Sequence, residues 1–363
     1  MRSAPRILLL SAYRADSHAA WADWLTRQFP AFDWGRLELP GRHFRWRIRG
    51  NPLSWLETLR DARPDAIIAT SMVDLATLRG LHPALAQTPA LYYFHENQFA
   101  YPTSPRQTRS VDPQMVQLYG ALAADRIAFN SCYNRDSFLD GVDALLARMP
   151  DQVPPGLRTT LGGNSEILPV PIKAIATRGR VERDPNLILW NHRWEYDKAP
   201  EDFAEATLQL AGEGVDFRLA LLGPRPARVP DALARLRTHL ADRIAVDARC
   251  SREEYEYWLC RAGIVVSTAR HEFQGLSLLE ATRAGVLPLV PDALVYPEQY
   301  PDSCRYPCGD TGALAARLGA WLTGQRPPVP DVGYWDTQQV EPQWRRQIEG
   351  LLETRRGVDR GRG

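Results

Sequence analysis

Repeated strand–helix units constrain the fold of this 363-residue chain more than any other feature. Continuous apolar runs typical of central parallel strands occur at residues 6–12, 66–71, 90–97 and 126–131. The pattern resumes after a break, with similar runs at residues 187–191, 216–223, 244–248 and 264–268. Most of these runs lead into a segment with the apolar spacing of an amphipathic helix. Repeated units of this kind form parallel, doubly wound sheets, so we expect an α/β fold.

The length of the chain and a change in composition predict two domains. The expected boundaries are a first doubly wound domain at residues 1–176, a charged linker at 177–185, a second such domain at 186–330, a last helical segment at 331–354 and a disordered tail at 355–363. Open α/β sheets bind ligands outside the carboxyl ends of their strands. Two such domains would leave a cleft there, and we expect the chemistry in that cleft.

Composition excludes several classes of protein. The 44 Lys and Arg residues balance the 43 Asp and Glu residues, so any nucleic acid or anionic lipid must be bound by a local patch. No apolar run is long enough to span a membrane, which predicts a soluble cytoplasmic protein. The five cysteines are odd in number and lack CxxC spacing, which argues against a disulfide framework and against a structural zinc site.

Two carboxylates mark residues 271–285, where Glu272 and Glu280 have seven residues between them. A loop after the strand at 264–268 leads there into a helix, and Glu280 lies in its first turns. The backbone N–H groups around Gly275, Leu276 and Ser277 would then suit a diphosphate. The alternative is that Glu280 faces water and Glu272 caps a turn.

Two other clusters follow predicted strands. Arg193 and Lys198 come after the strand at 187–191 and could grip both phosphates of a nucleotide diphosphate, although they could also be solvated loop charges. His95, Glu96 and Asn97 end the strand at 90–97, as either a functional or a structural turn.

The first loop of the chain offers a weaker candidate. Ser17 and His18 stand at a predicted helix start, where an anion or a polar acceptor could dock. The loop lacks the GxGxxG spacing that would indicate a dinucleotide.

A local basic patch lies at residues 41–50. Arg42, Arg45, Arg47 and Arg49 alternate there with aromatic residues that include Phe44 and Trp46. Cations attract phosphates and aromatic faces stack on bases, so this segment suits RNA. Because the alternation has period two, an edge strand with the arginines outward is the equal alternative.

Three longer strings and the two spaced motifs carry a family resemblance. The strings are YFHENQFAYP at 93–102, WNHRWEYDK at 190–198 and EFQGLSLLEATRAG at 272–285. With the E-x7-E and R-x4-K motifs, the chain resembles a glycosyltransferase of family 4 and, within it, the tRNA-queuosine alpha-mannosyltransferase family. The resemblance implies a GT-B architecture, with two Rossmann-like domains facing across a cleft and a last helix that returns to the first domain.

The resemblance also implies a retaining, metal-independent transfer of a hexose to queuosine in tRNA. The co-substrate would be a sugar nucleotide, GDP-mannose, and no cofactor is expected. Arg193 and Lys198 would bind the donor diphosphate, Glu272 the sugar hydroxyls and Glu280 the ribose, while His95 would face the sugar from the first domain.

The full expected sites follow from these roles. The expected catalytic residues are His95, Arg193, Lys198 and Glu272. The expected donor site comprises Arg193, Lys198, Glu272, Phe273, Gln274, Gly275, Leu276, Ser277 and Glu280. The expected acceptor site comprises Ser17, His18, Arg42, Arg45, Trp46, Arg47, Glu96 and Asn97.

Three other functions fit the same sequence. A family 4 transferase could use a small-molecule or lipid-linked acceptor instead of tRNA. A sugar-nucleotide-binding protein could keep the site without transferring anything. An epimerase or hydrolase could be built on the same architecture, because fold alone does not decide function.

Overall fold

The computed structural model describes residues 4–101, 110–173, 175, 181–226 and 228–360, apart from the side chains of residues 16 and 355–360. The chain divides into two compact units. The first unit joins Met1–Pro171 with Gln338–Gly363, and the second is Ile172–Thr337. Within the described residues, no helix is both long and apolar enough to cross a membrane.

The first unit is built on a parallel sheet of six strands among the described residues, in the order β2-β1-β3-β4-β5-β6. Its strands are β1 Arg6–Arg14, β2 Asp33–Pro40, β3 Ala66–Thr70, β4 Ala90–Phe94, β5 Arg126–Phe129 and β6 Ser165–Ile167. Its helices before the last one are α1 Asp16–Gln28, α2 Phe44–Ser54, α3 Leu75–Leu81, α4 Pro83–Ala86, α5 Asp112–Leu122, α6 Cys132–Leu146 and α7 Leu157–Gly163. Strands β3 and β4 are buried along their whole length, as expected of central parallel strands with helices on both faces.

The second unit repeats this plan with the strand order β12-β11-β10-β7-β8-β9. Its strands are β7 Asp184–Trp190, β8 Arg218–Leu221, β9 Ile244–Asp247, β10 Ala262–Val266, β11 Leu287–Pro291 and β12 Arg305–Tyr306. Its helices are α8 Pro200–Gly212, α9 Asp231–His239, α10 Arg252–Arg261, α11 Leu276–Arg283, α12 Tyr296–Gln299 and α13 Thr311–Leu322. Two parallel, doubly wound sheets confirm the α/β prediction.

The basic patch at 41–50 does not form an edge strand. It leads into helix α2, so the edge strand suggested by the period-two alternation is wrong. Pro52 lies inside this helix and has no N–H to donate to the carbonyl of Ile48. The side-chain amide of Asn51 donates to that carbonyl at 3.2 Å and to the carbonyl of Met72 at 3.3 Å. Asn51 thus compensates for the proline and anchors the helix.

Helix α14, Thr337–Arg360, ends the chain, and its residues from Gln338 onward belong to the first unit. Trp344 is completely buried, and its indole N–H donates to the carbonyl oxygen of Pro169 at 3.0 Å. The Trp344 ring packs against Trp21 and Tyr93 at centroid distances of 5.5 and 4.9 Å. This one side chain therefore ties the last helix to α1 and β4.

The expected disordered tail at 355–363 stays a prediction. The backbone of α14 extends through residue 360. Residues 361–363 of that tail and residues 177–180 of the expected linker lie outside the described residues.

We expect Trp344→Ala to destabilise the protein by about 3–5 kcal/mol, because it removes a buried aromatic side chain from the core of the first unit. Urea unfolding followed by circular dichroism measures this change. Arg60→Ala, which removes an exposed ion pair with Glu57, is the matched control and should shift stability by about 0.5 kcal/mol or less. Equal unfolding midpoints for the two variants would contradict the anchoring role of Trp344.

Candidate active site

The R-x4-K pair lies directly after β7, where Lys198 ends a short 3-10 turn formed by residues Tyr196–Lys198. Lys198 is 7% exposed, and its ammonium group donates to the carbonyl oxygen of His271 at 2.6 Å. It also lies 3.2 Å from a carboxylate oxygen of Glu272 and 3.2 Å from one of Asp197. The fold therefore joins the R-x4-K motif to the E-x7-E motif through a buried ammonium group.

Arg193, the other member of the pair, is more accessible. Its side chain is 46% exposed and lies 2.8 Å from a carboxylate oxygen of Glu195, which is equally exposed. Arg193 also lies 3.4 Å from the same Asp197 oxygen that contacts Lys198. Exposed ion pairs contribute little free energy, so Arg193 can exchange Glu195 for another anion.

Glu272 is ionised in this environment. Burial by itself would raise its pKa, but the nearby Lys198 ammonium and the backbone N–H of Gly275 lower the pKa to about 2. The other carboxylate oxygen of Glu272 accepts a hydrogen bond from the N–H of Phe273 at 3.1 Å. Its hydrogen bonds fix the carboxylate at the start of α11.

Gly275 makes the turn into α11 possible. Its φ of +64° lies in the left-handed region, which a residue with a side chain rarely adopts. The intrahelical bonds begin with the N–H groups of Leu278 and Leu279, both donated to the carbonyl of Gly275. The N–H groups of Leu276 and Ser277 precede that ladder at the positive end of the helix, which is suited to an anion.

Two of the expected donor residues have buried side chains. Phe273 is 4% exposed and Gln274 is 3% exposed. The carbonyl of Gln274 accepts a hydrogen bond from Gln299 at 2.7 Å. Their part in donor binding stays a prediction.

Glu280, the second glutamate of the motif, has partners that the sequence did not indicate. Arg252, the first residue of α10, lies 3.3 Å from both carboxylate oxygens. Tyr255 shares a hydrogen bond with Glu280 and accepts one from Asn191 at 3.2 Å. Burial raises the pKa of Glu280, and Arg252 opposes that rise. The alternative of a freely solvated glutamate is wrong.

Asp197 and Arg252 are the two charged residues that sequence reasoning missed here. Asp197 is 2% exposed and contacts both cations of the R-x4-K pair through one oxygen. Arg252 follows Ser251, whose capping box with Glu254 opens α10. That capping box was a usable signal, because it places Arg252 at a helix start just after a parallel strand.

In the first unit, His18 and His95 form a stacked pair with centroids 4.2 Å apart. The Nδ1 atom of His18 lies 2.8 Å from the carbonyl oxygen of Tyr13, so it carries the hydrogen and Nε2 can only accept. Burial lowers the pKa of His18 to about 4, against the effect of the Tyr13 bond. Burial and the neighbouring His18 lower the pKa of His95 as well, so both rings are neutral near pH 7.

His95 is 8% exposed and is enclosed by aromatic rings. Trp21 and Tyr93 both meet it edge to face at 4.7 Å. Among the described residues, its Nε2 atom has no hydrogen-bond partner. The same is true of the hydroxyl groups of Ser11 on β1 and Thr70 at the end of β3.

Asn97 is held by several hydrogen bonds in the turn after β4, and its role in acceptor binding stays a prediction. It is completely buried, and its amide donates to Asn134 and Ser137 at 2.9–3.0 Å. Its oxygen accepts from the N–H groups of Phe99 and Ala100. These bonds hold the turn after β4 against α6.

The other predicted acceptor residues lie at or near the surface. Ser17 is exposed in α1, and Glu96 is partly buried after β4. Arg42 and Arg45 are exposed and Arg47 is partly buried. Arg45, Trp46 and Arg47 lie on α2, which is distant in sequence from the turn at the end of β4.

Comparison with known proteins gives the same family as the sequence motifs. Residues 6–172 match the family profile described as tRNA-queuosine alpha-mannosyltransferase N-terminal. The chain is 32% identical over 326 residues to tRNA-queuosine alpha-mannosyltransferase of Drosophila melanogaster, a match that covers 86% of each chain.

Solved glycosyltransferase structures share the fold. Sucrose-phosphate synthase from Thermosynechococcus elongatus superposes with a TM-score of 0.69 over 97% of this chain and 100% of that one, at 14% identity. Anabaena HepE, solved in complex with UDP and glucose, gives 0.67 over 95% and 100%, at 12% identity. At these identities the likeness concerns the fold alone, which is that of GT-B glycosyltransferases. The identity to the fly enzyme is the stronger link, and the chain belongs to the tRNA-queuosine alpha-mannosyltransferase family and is accordingly a mannosyltransferase.

Proposed function

We propose that this protein transfers mannose from GDP-mannose to queuosine in tRNA, with retention at the anomeric carbon and without a metal ion. The observation that carries the proposal is the contact between Lys198 and Glu272, 3.2 Å apart in the second unit. This contact brings together a cation for a diphosphate and a carboxylate for sugar hydroxyls. Membership of a mannosyltransferase family supports the choice of sugar and acceptor.

The donor diphosphate has three sources of positive potential in the second unit. Lys198 is held in place by its buried contacts, whereas Arg193 is half exposed and can turn toward a phosphate. The start of α11 adds N–H groups at Leu276 and Ser277. Fixed cations and a helix start can stabilise a departing diphosphate, the task that magnesium performs in many other phosphate sites.

Glutamates at the two ends of the E-x7-E motif would hold the rest of the donor. Glu272 is ionised and can accept hydrogen bonds from sugar hydroxyls. Glu280 is hydrogen-bonded to Arg252 and Tyr255. The carboxylate lone pairs that these two residues leave unused can accept hydrogen bonds from the ribose hydroxyls.

The chemistry then needs no dedicated base. The acceptor oxygen forms a bond to the anomeric carbon while the bond from that carbon to the phosphate oxygen breaks. If both happen on the same face of the sugar, the leaving phosphate takes the proton of the acceptor hydroxyl and the configuration is retained. The neutral His18 and His95 of the first unit would serve as polar, uncharged contacts for the sugar or the acceptor.

We assign the tRNA to the first unit. Arg42 and Arg45 are exposed beside Trp46 at α2, and they supply the phosphate attraction that a chain of balanced charge must find locally.

The activity is tested by incubating the protein with a panel of sugar nucleotides and total tRNA, then digesting the tRNA to nucleosides for mass spectrometry. We expect one hexose to be added to queuosine with GDP-mannose and at an unchanged rate in the presence of a chelator. Transfer RNA lacking queuosine is the control acceptor. Donor hydrolysis without transfer, or transfer to a small molecule alone, would overturn the proposal.

The charge balance of the donor site gives a second prediction. Asp197→Asn keeps the size of a buried side chain but removes a negative charge beside Arg193 and Lys198. We expect nucleoside diphosphate to bind about tenfold more tightly, because the two cations are then less neutralised. Isothermal titration calorimetry measures the affinity. Asp202→Asn, which removes a carboxylate paired with Arg270, is the matched control. Weaker binding by the Asp197 variant would show that its role is to position the cations.

The acceptor assignment gives a third prediction. Replacing Arg45 and Arg47 by Ala should weaken tRNA binding and make its salt dependence shallower, by about 0.7–0.9 in the slope of log K for each lost phosphate contact. Sugar-nucleotide binding should be unchanged. Arg148→Ala, at the exposed end of α6, is the control. An unchanged salt slope in the double variant would remove α2 from the tRNA site.

A further inference from the structure

Trp46 is a large aromatic side chain on the surface of the first unit. It lies in the first turn of α2 and is 52% exposed. Among the described residues, its ring has no aromatic neighbour within stacking distance and no cation over its face. A side chain of this size is usually more deeply buried, so its position calls for an explanation.

The indole ring lies flat over Gly50, one helical turn further along α2. A Cβ atom built on Gly50 would lie 2.6–2.7 Å from the Cε2, Cδ2 and Cζ2 atoms of Trp46. Nearly equal distances to three atoms of one six-membered ring place that point over the face of the ring rather than at its edge. One face of the indole is therefore covered by the helix backbone, and the residue is 52% exposed overall.

The helix beneath this ring is firmly anchored. Ile48 is buried, and Asn51 binds the loop after β3 through the carbonyl of Met72 and the N–H of Asp74. Arg49 pairs with Asp74 at 2.8 Å. An aromatic ring on such a support keeps its orientation before any partner arrives, which reduces the entropy lost on binding.

Arginines lie close to Trp46 along the chain. Arg49 is three residues after it on α2, close to the spacing of one helix face, Arg45 directly precedes it, and Arg42 lies just before the helix begins. Residues 41–54 contain four arginines and no Asp or Glu. A partner with many negative charges therefore fits this surface better than an apolar peptide or a protein surface of mixed charge does.

We propose that Trp46 is a stacking platform for one unpaired nucleobase of the RNA substrate, with Arg42 and Arg45 holding the flanking phosphates. This inference rests on the proposed function, since it names how the tRNA is held. The base must be unpaired, because bases inside an A-form duplex are already stacked and present no free face. A single ring with one covered face takes at most one base, so the platform binds a loop or a flipped nucleotide rather than a stem.

The test compares RNA affinities of four proteins by filter binding, using an RNA stem-loop and a fully paired duplex of equal length. We expect Trp46→Ala to weaken stem-loop binding about 10- to 100-fold and to leave duplex binding unchanged. Trp46→Phe should keep most of the affinity, because the smaller ring still stacks. Tyr334→Ala, which removes an equally exposed aromatic side chain of the second unit, should have no effect.

Gly50→Ala tests the support of the ring without removing the ring. Its methyl group would displace the indole, while alanine favours the helix over glycine, so the protein should stay folded. We expect the Gly50→Ala variant to bind the stem-loop with an affinity between that of the wild type and that of Trp46→Ala. Equal stem-loop affinity for the wild type and both variants would overturn the platform.

Transfer assays on the same variants separate this inference from the proposed function. If the wild type modifies tRNA and Trp46→Ala does so with unchanged KM for tRNA, the platform is wrong and the function stands. If the wild type binds the stem-loop through Trp46 but transfers no hexose, the platform stands and the function is wrong. If the wild type binds neither RNA but modifies tRNA, the platform is wrong and the function stands.

Discussion

The candidate donor site of the second unit depends on the contacts of one buried ammonium group, that of Lys198. A charge removed from water is costly unless it is paired and hydrogen-bonded. Lys198 is compensated by Asp197, Glu272 and the carbonyl of His271, and these partners come from the turn after β7 and the loop after β10. The hydroxyl of Thr268 reinforces the junction by donating to the carbonyl of Lys198. One charge therefore fixes two loops and the start of α11.

The first unit uses a different physical solution. Its sheet edge carries neutral imidazoles, because aromatic rings enclose His18 and His95 and burial keeps their pKa values low. Its positive charge is on the surface instead, on α2. A charged site for a diphosphate and a neutral edge with an outer basic surface for a large polyanion are consistent with a transferase whose two substrates differ in size and charge.

Much of the fold and part of the site followed from local patterns. Continuous apolar runs identified the central strands, and the E-x7-E and R-x4-K spacings identified Glu272 and Lys198, which lie in contact. Asp197 was missed because nothing in its local pattern shows that its side chain is buried between two cations. The bonds by which Asn97 closes a turn were also missed, because a polar residue after a strand gives the same local pattern whether it binds a ligand or closes a turn.

Sequence alone determined the parallel α/β class, the loops that carry the charged motifs and the family, since apolar periodicity and motif spacing are properties of the chain itself. Only tertiary structure decided the form of α2. Alternating arginines and aromatic residues favoured a strand locally, but the amide of Asn51 replaces the hydrogen bond that Pro52 cannot make and holds the segment to Met72. That anchored helix brings Trp46 over Gly50, because residues four apart share a helix face and would lie far apart in a strand.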